Sequence, residues 1–399
     1  MRAGSRSAAV EPARMAVAPS HTDDDEALIL DAVRELVREK VAPRAAEIDV
    51  TGEFPWDIQK LFAQNDLFGL ILPAEYGGLD GTFTTYVKVV EEISKACASS
   101  ALMIAVQELG ALPILIAGSE EQKRRYIPKL ASGEWMAAYA LTEAGSGSDA
   151  AGSMRTRAVR DGDDYVLNGT KMWITQGNVA QVVTVFAVTD PEKGANGISA
   201  FAVEKGTPGF GVGKLEKKMG IHGSPTVELH FENCRIPAAN LIGAEGSGFK
   251  TAMQVLDRSR PGIAAQALGL AQGALDYAVG YLKERVAFGK PLSQQQGLQF
   301  MLADMRTEVE AARLLLYEAA RKCDEGAPDL TTWAALCKLK CGDVAMSVTT
   351  DAVQLLGGFG YSAEYPVERM MRDAKITQIY EGTQQIQRIV IARSMVGRR

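Results

Sequence analysis

One carboxylate near the C-terminus stands between a bulky ring and a glycine, in Tyr380-Glu381-Gly382-Thr383-Gln384-Gln385-Ile386-Gln387, just ahead of a run that reads as a helix. A Glu held partly out of water in such a turn has a raised pKa and becomes a more effective proton acceptor near neutrality. The same residues also suit plain architecture, with Glu381 capping a helix and Gly382 shaping the turn. Other chemistries have fewer candidates. His21, His222 and His230 are the only histidines, which leaves little for metal or triad chemistry. Cys337 and Cys341 stand four apart, as two ligands on one helix face would. They also fall in the series Cys337, Cys341, Val344, Val348, Ala352, Leu355, an apolar helix stripe, so they are expected in the core and no metal site is expected. Gly243-Ala244-Glu245-Gly246-Ser247-Gly248-Phe249-Lys250-Thr251 imitates a phosphate loop, but Phe249 breaks the Gly-Lys adjacency. Gly145-Ser146-Gly147-Ser148 lacks the third Gly of a dinucleotide fingerprint.

The elements that must position these residues change type twice along the chain. Ile29, Val33, Leu36, Val37 and Val41 recur at helical spacing, with Pro43 near the end of the run, and residues 83–117 are so rich in apolar and small side chains that a helix buried on several sides is expected. Gly118-Ser119-Glu120-Glu121 supplies a cap and an acidic first turn for another helix. Over residues 135–242 the period becomes that of strands. Asn168-Gly169 between two strand-like runs predicts a hairpin, residues 182–188 and 198–203 read as strands, and the alternation Val227-Glu228-Leu229-His230-Phe231 turns His230 outward. Beyond Gly248 long helices return: Leu298, Leu302, Met305, Val309, Ala312 and Leu316 form the seam of an antiparallel bundle, and the Ala and Gly of 262–282 allow close helix contacts.

A chain of 399 residues with 47% hydrophobic content has room for two or three cored domains. A net charge of -6 without a long basic run argues against a nucleic-acid partner. The five cysteines lack the paired spacing of a secreted scaffold, which points to a reducing compartment and a cytoplasmic protein. No apolar stretch is expected to reach the roughly 20 residues that span a bilayer. The first 22 residues, rich in Ala, Ser and Arg at their start, read as a disordered extension, with a transit peptide or a start at Met15 as alternatives.

The segment Arg372-Asp373-Ala374-Lys375-Ile376-Thr377-Gln378-Ile379-Tyr380-Glu381-Gly382-Thr383 resembles a signature of the acyl-CoA dehydrogenase family, and further motifs follow in family order over about residues 25–399. The resemblance implies an α+β multidomain chain: an N-terminal α-helical domain (23–134), a middle antiparallel β domain (135–242) and a C-terminal four-helix-bundle domain (243–399), assembled as a homotetramer. It implies FAD as cofactor, an acyl-CoA as substrate and an electron-transfer flavoprotein as acceptor, with Glu381 removing the α-proton. Tyr139-Ala140-Leu141-Thr142-Glu143-Ala144-Gly145-Ser146-Gly147-Ser148-Asp149 is similar to the family's flavin loop, so Tyr139, Leu141, Thr142, Gly147 and Ser148 are implied cofactor contacts. Lys171-Met172-Trp173-Ile174-Thr175 resembles the strand that covers the flavin, with Trp173 beside the ring, Thr175 bonded to its edge and Ile174 adjacent. Arg285, Phe288, Gln295 and Gln296 resemble the segment that reaches the FAD of a neighbouring subunit. Gln354, Leu355, Gly357 and Gly358 resemble the adenosine loop, and Thr383, Gln384 and Gln385 complete the implied cofactor set. Asp257, Arg258, Ser259 and Arg260 resemble the CoA segment, with Ser148 and Gly382 as further substrate contacts. Ser259 stands where some branches carry the catalytic Glu, and Ser100 stands where the glutaryl branch has Arg, which disfavours a dicarboxylic acyl group. The overall likeness is to the short-chain and short-branched-chain branch, in fatty acid or branched-chain amino acid catabolism. The alternatives are a dehydrogenase of carrier-protein-bound acyl groups and a non-catalytic flavin-binding subunit.

Overall fold

The computed structural model describes residues 23–397; the expected N-terminal extension and its targeting alternatives lie outside the described residues. Helices come first: α1 (Asp23–Leu36), α2 (Ala45–Thr51), α3 (Trp56–Gln64), α4 (Phe83–Ser94), α5 (Ala98–Ala117) and α6 (Glu120–Ala131). Strands follow: β1 (Ala137–Ala140), β2 (Arg157–Asp161), β3 (Asp164–Thr175), β4 (Val182–Val188), β5 (Ile198–Glu204), β6 (Phe210–Leu215), β7 (Thr226–Pro237) and β8 (Leu241–Ile242), with a single turn of helix, α7 (Ala150–Ser153), after β1. The chain then returns to helices α8 (Gly248–Glu284), α9 (Gln296–Asp324), α10 (Leu330–Leu356), α11 (Pro366–Ile376) and α12 (Gln384–Val396), with a short ribbon of β9 (Val286–Ala287) and β10 (Lys290–Pro291) between α8 and α9. The helical ends and the antiparallel middle sheet are those expected of an α+β chain.

Local chemistry explains the placement. At α6 the Ser119 hydroxyl accepts from the Gln122 N–H while the Gln122 side chain accepts from Ser119 N–H, a reciprocal cap that begins the helix where the sequence predicts it. The stripe of α9 is buried from Met305 through Val309, Ala312 and Leu316. The α10 stripe that contains Cys337 and Cys341 is buried along its whole length, with all five thiols free. These faces close on α4, α5 and α8 in one core. The close approach has a specific cause: a Cβ on Gly269 of α8 would sit 2.4 Å from the Glu91 carbonyl oxygen of α4, and one on Gly273 would sit 2.2 Å from that of Lys95. The sheet has the order β6-β7-β3-β2-β4-β5-β8, with β1 beside β4. One face packs on α5 and α6 through residues such as Ile114 and Tyr126, and the other forms its own core around Leu167, Val185 and Phe231, so every residue of β4 is buried.

Four expectations change. Asn168-Gly169 is not a hairpin turn: β3 runs through it, and the hairpin is Asp161↔Asp164, closed by Gly162 at φ 64°. The Asn-Gly pair instead forms a bulge against β7, where the Asn168 amide oxygen accepts the Asn233 N–H. The sheet is also not purely antiparallel, since β1 pairs with β4 in parallel. Pro43 does not end the first helical run; it sits in a tight turn whose free N–H position suits it, and the path continues into α2. Finally, α5 is, by length and composition, apolar enough to cross a membrane, contrary to expectation. Its most apolar window is 83% buried inside the protein, which explains the composition as that of a core helix.

Gly269→Ala is expected to lower stability by about 1–3 kcal/mol through forced separation of α8 from α4; urea denaturation followed by circular dichroism measures it.

Candidate active site

Glu381 sits in the turn between α11 and α12 with φ 51°, followed by Gly382 at φ 89°. Two successive left-handed residues are tolerable for glycine and costly for glutamate, on the order of 1–2 kcal/mol. The surroundings hold them there. Lys338 of α10, 1% exposed, donates from Nζ to the Gly382 carbonyl at 2.7 Å, and Gln387 Nε2 donates to the carbonyls of Glu381 (3.2 Å) and Gly382 (2.9 Å). Tyr380 fixes the preceding residue by donating its hydroxyl to Gln266 of α8. Thr383 caps α12 by accepting the Ile386 N–H at 3.3 Å. The turn is therefore set from three helices at once.

The carboxyl itself is half-buried, and Ser259 of α8 donates its hydroxyl to Glu381 Oε2 at 2.6 Å. Burial pushes Glu381 above the usual carboxylate range, opposed by the Ser259 hydroxyl and by the cations of Arg260 and Lys338. Arg260 is itself buried, paired with Asp257 at 3.0 Å, and Asp257 accepts the Thr331 hydroxyl at 2.6 Å. The N–H of Glu381 donates to no acceptor among the described residues, and the buried Tyr139 hydroxyl, close enough to feel the Glu381 charge, has no hydrogen-bond partner. A proton acceptor, a free donor and an unsatisfied hydroxyl thus share one place, which suits removal of a proton from carbon next to a carbonyl whose oxygen takes up charge.

The loop after β1 is anchored from below. The Glu143 carboxylate accepts the N–H groups of Arg155 (2.7 Å) and Thr156 (2.9 Å) and the buried Lys171 ammonium (2.9 Å), which also donates to the Leu141 carbonyl at 3.1 Å. Burial alone would raise Glu143; Lys171 and the Thr156 and Arg155 bonds outweigh it and hold the carboxyl below its usual range. With its root fixed, the loop exposes Gly147 and Ser148, and a Cβ on Gly147 would meet nothing within 4 Å. Thr142, beside them, takes the Met172 N–H on its carbonyl at 2.9 Å. Strand β3 breaks register between Lys171 and Ile174, and there Trp173 adopts φ 63° and is 51% exposed. An aromatic in a strand is ordinarily core. This one is turned outward by the bulge, with half-buried Thr175 after it.

A second grouping lies along the α8–α9 connection. Arg285, Gln354, Leu355, Gly357 and Gly358 line one open cavity of about 600 Å³, with the Arg285 guanidinium 5.2 Å from the Phe359 ring centre. Phe288, at φ 53° and 95% exposed, and exposed Gln296 lie outside this lining, while Gln295 is half-buried with its Nε2 unpartnered. Not every predicted contact presents its side chain. Gln384 is buried, its amide donating to the Leu339 carbonyl at 2.8 Å and to Asp343 at 3.0 Å, so its side chain braces the turn. Ile174, Leu141 and Leu355 are buried, whereas Gln385 is exposed. Sequence reasoning missed Lys338, Gln387, the Glu143–Lys171 pair and Glu108. For Glu108 the signal was present: a carboxylate in the middle of the apolar run of α5.

Residues 23–134 match the acyl-CoA dehydrogenase N-terminal domain, residues 138–234 the middle domain and residues 246–396 the C-terminal domain of the same family. A Mycobacterium tuberculosis protein named a probable acyl-CoA dehydrogenase is 53% identical over 365 residues, covering 92% of this chain and 94% of that one. The structure of butyryl-CoA dehydrogenase from Megasphaera elsdenii superposes with a TM-score of 0.91 at 44% identity, covering 95% of this chain and all (100%) of that one. A glutaryl-CoA dehydrogenase from Mycobacterium smegmatis, solved in complex with FADH2, does so with a TM-score of 0.88 at 34% identity over 94% and 96% of the two chains.

Lys171→Met strands the Glu143 carboxylate against buried N–H groups and is expected to cost about 3–5 kcal/mol. Denaturation reads the loss, and faster amide exchange confined to residues 141–156 locates it.

Proposed function

The chain belongs to the acyl-CoA dehydrogenase family and is an oxidoreductase of that kind; on that premise we propose that it converts a short- or medium-chain acyl-CoA to its trans-2-enoyl-CoA with FAD, Glu381 being the base. The observation that carries the reading is the Glu381 carboxyl in its braced left-handed turn, desolvated and bonded on one oxygen only. Its Oε1 is free to take the α-proton while Ser259 holds Oε2. The unpaired Glu381 N–H donates to the thioester carbonyl oxygen as charge builds there. Of the residues expected to meet the CoA portion, Asp257 and Arg260 pair with each other about three turns into α8 and Arg258 lines the cavity beside Glu108, so they support the acyl end of the site, while Ser148 and Gly382 meet the acyl thioester.

The residues present fit FAD. The open-backed loop with Gly147 and the Ser148 hydroxyl, rooted through Leu141 and Thr142, suits close backbone approach to a flavin and its phosphates, and the outward Trp173 ring with Thr175 suits its cover. The unpartnered Tyr139 hydroxyl is a further group awaiting a contact. When bound there, FAD supplies the acceptor for the hydride that leaves the β-carbon. Arg285, Gln354, Gly357 and Gly358, gathered in their own cavity, hold the pyrophosphate and adenosine end contributed across a subunit boundary, with Phe288, Gln295 and Gln296 at that boundary and Thr383 and Gln385 nearby. The exposed Val286, Phe288 and Phe300 support burial of this edge in a homotetramer. An electron-transfer flavoprotein then takes the electrons. The five free thiols support a reducing compartment, the cytoplasm, and the short-chain likeness supports a place in fatty acid or branched-chain amino acid catabolism.

Glu381→Gln is expected to keep the yellow flavin absorbance and to slow anaerobic bleaching by butyryl-CoA on the order of 10²–10⁴-fold; stopped-flow absorbance decides, and an unchanged rate removes Glu381 as the base. The pH profile of kcat is expected to rise through a pKa above the ordinary carboxylate value, because the base must be ionised. Ser259→Ala moves that limb to still higher pH, since the lost hydroxyl favoured the ionised form.

A further inference from the structure

Glu108 of α5 is 4% exposed; neither of its oxygens nor the adjacent Tyr86 hydroxyl of α4 has a hydrogen-bond partner of good geometry, although Tyr86 stands near enough to Glu108 to ease the burial of its carboxylate. A buried carboxyl with both oxygens unsatisfied is costly to keep, and two such groups side by side call for a ligand. Their position is specific. A Cβ on Gly262 of α8 would lie 3.0 Å from the Tyr86 oxygen and 3.5 Å from Glu108 Oε2, and Gly262 is one helical turn beyond Ser259, which bonds the base. Glu108 also lines a cavity of about 110 Å³ whose walls include Ile71, Leu72, Leu112, Leu115 and Ile116, with Arg258 at its side. Asp324, another carboxylate on that wall, is already engaged by the backbone N–H groups of Phe83 and Thr84.

We propose that Glu108 and Tyr86 form a polar subsite beyond the base that recognises a hydroxyl group carried on the acyl chain. This rests on the dehydrogenation reading above and names the kind of acyl group that site prefers. The chemistry selects a neutral partner. Burial pushes Glu108 up to about 8, with Tyr86 and Arg258 holding it down and Glu381 adding to the rise, so near neutrality it is mainly the protonated acid, with one O–H to give and one oxygen to receive. A hydroxyl matches both. A charged group on the chain would have to shed its water in a small, largely apolar cavity whose aspartates, Asp80 and Asp324, already accept backbone N–H groups. A plain methyl end would leave both polar groups unsatisfied, and that failure is the source of discrimination. The hydroxyl is a spectator; the bonds broken remain those at the α- and β-carbons.

The test uses the FAD-loaded protein and anaerobic bleaching with two length-matched pairs, 4-hydroxybutyryl-CoA against pentanoyl-CoA and 6-hydroxyhexanoyl-CoA against heptanoyl-CoA. For the better-fitting pair, the ratio of kcat/KM, hydroxylated over alkyl, is expected to be about tenfold or more higher in the wild type than in Glu108→Leu. Glu108→Gln, which keeps a donor and an acceptor, retains the wild-type ordering, and both variants keep the wild-type circular dichroism. Ratios that agree within about threefold between wild type and Glu108→Leu for both pairs overturn the subsite alone. A protein that bleaches with none of the four thioesters overturns the dehydrogenation reading itself.

Discussion

The ammonium of Lys338, sunk in the helical core, keeps two successive left-handed residues in the turn that carries Glu381. A hydrogen bond from a charged donor contributes about 1.5–3 kcal/mol, enough to offset the conformational cost of one non-glycine residue at positive φ. Gln387 adds two more donors from α12. Lys338 in turn is aimed by α10, whose register is fixed by the stripe from Cys337 to Leu355 packed into the core shared with α8 and α9. Side-chain packing in the helical core thereby sets the position of the Glu381 carboxyl.

The neighbourhood is a balance between desolvation and fixed charge. Glu381, Glu108, Tyr86, Tyr139 and Tyr380 are all driven toward their neutral forms by burial, and the cations nearby, Arg260, Arg258 and Lys338, work against that on the acids. Only Glu381 among them holds a hydroxyl donor and two nearby cations at once, which is why it rather than Glu108 is suited to accept a proton near neutrality. Differences of environment, not of residue type, divide the labour between the two glutamates.

Much of this was legible in the residues. The seam of α9, the stripe of α10, the cap of α6 and the strands 182–188 and 198–204 follow from periodicity and cap chemistry, because each depends on neighbours in sequence. The C-terminal signature singles out Glu381, whereas Ser259, expected to meet the CoA moiety, donates its hydroxyl to Glu381, a bond 122 positions long in sequence. What escaped were long-range satisfactions. Asn168-Gly169 has the local chemistry of a turn, and the cross-strand partner Asn233 turns it into a bulge. Gln384 sits in a motif beside the base, yet Leu339 and Asp343, over forty positions earlier in the chain, claim its amide. Trp173 carries strand propensity, and a register break against β7 turns it outward. Buried lysines such as Lys171 and Lys338 have no sequence mark that separates them from the solvated majority; only the carboxylate and carbonyls they meet reveal them.

The apolar character of α5 has a consequence for biosynthesis. This helix is packed by α4 on one side and by α8 on the other, and α8 is made only after the whole sheet has left the ribosome. At ordinary elongation speeds of about 5–20 residues per second, a segment with the composition of a membrane span therefore waits on the order of ten seconds for its cover. Glu108 is the one charged residue of that segment, and an ionised carboxylate in mid-helix costs about 2.5–3.5 kcal/mol to place in a bilayer.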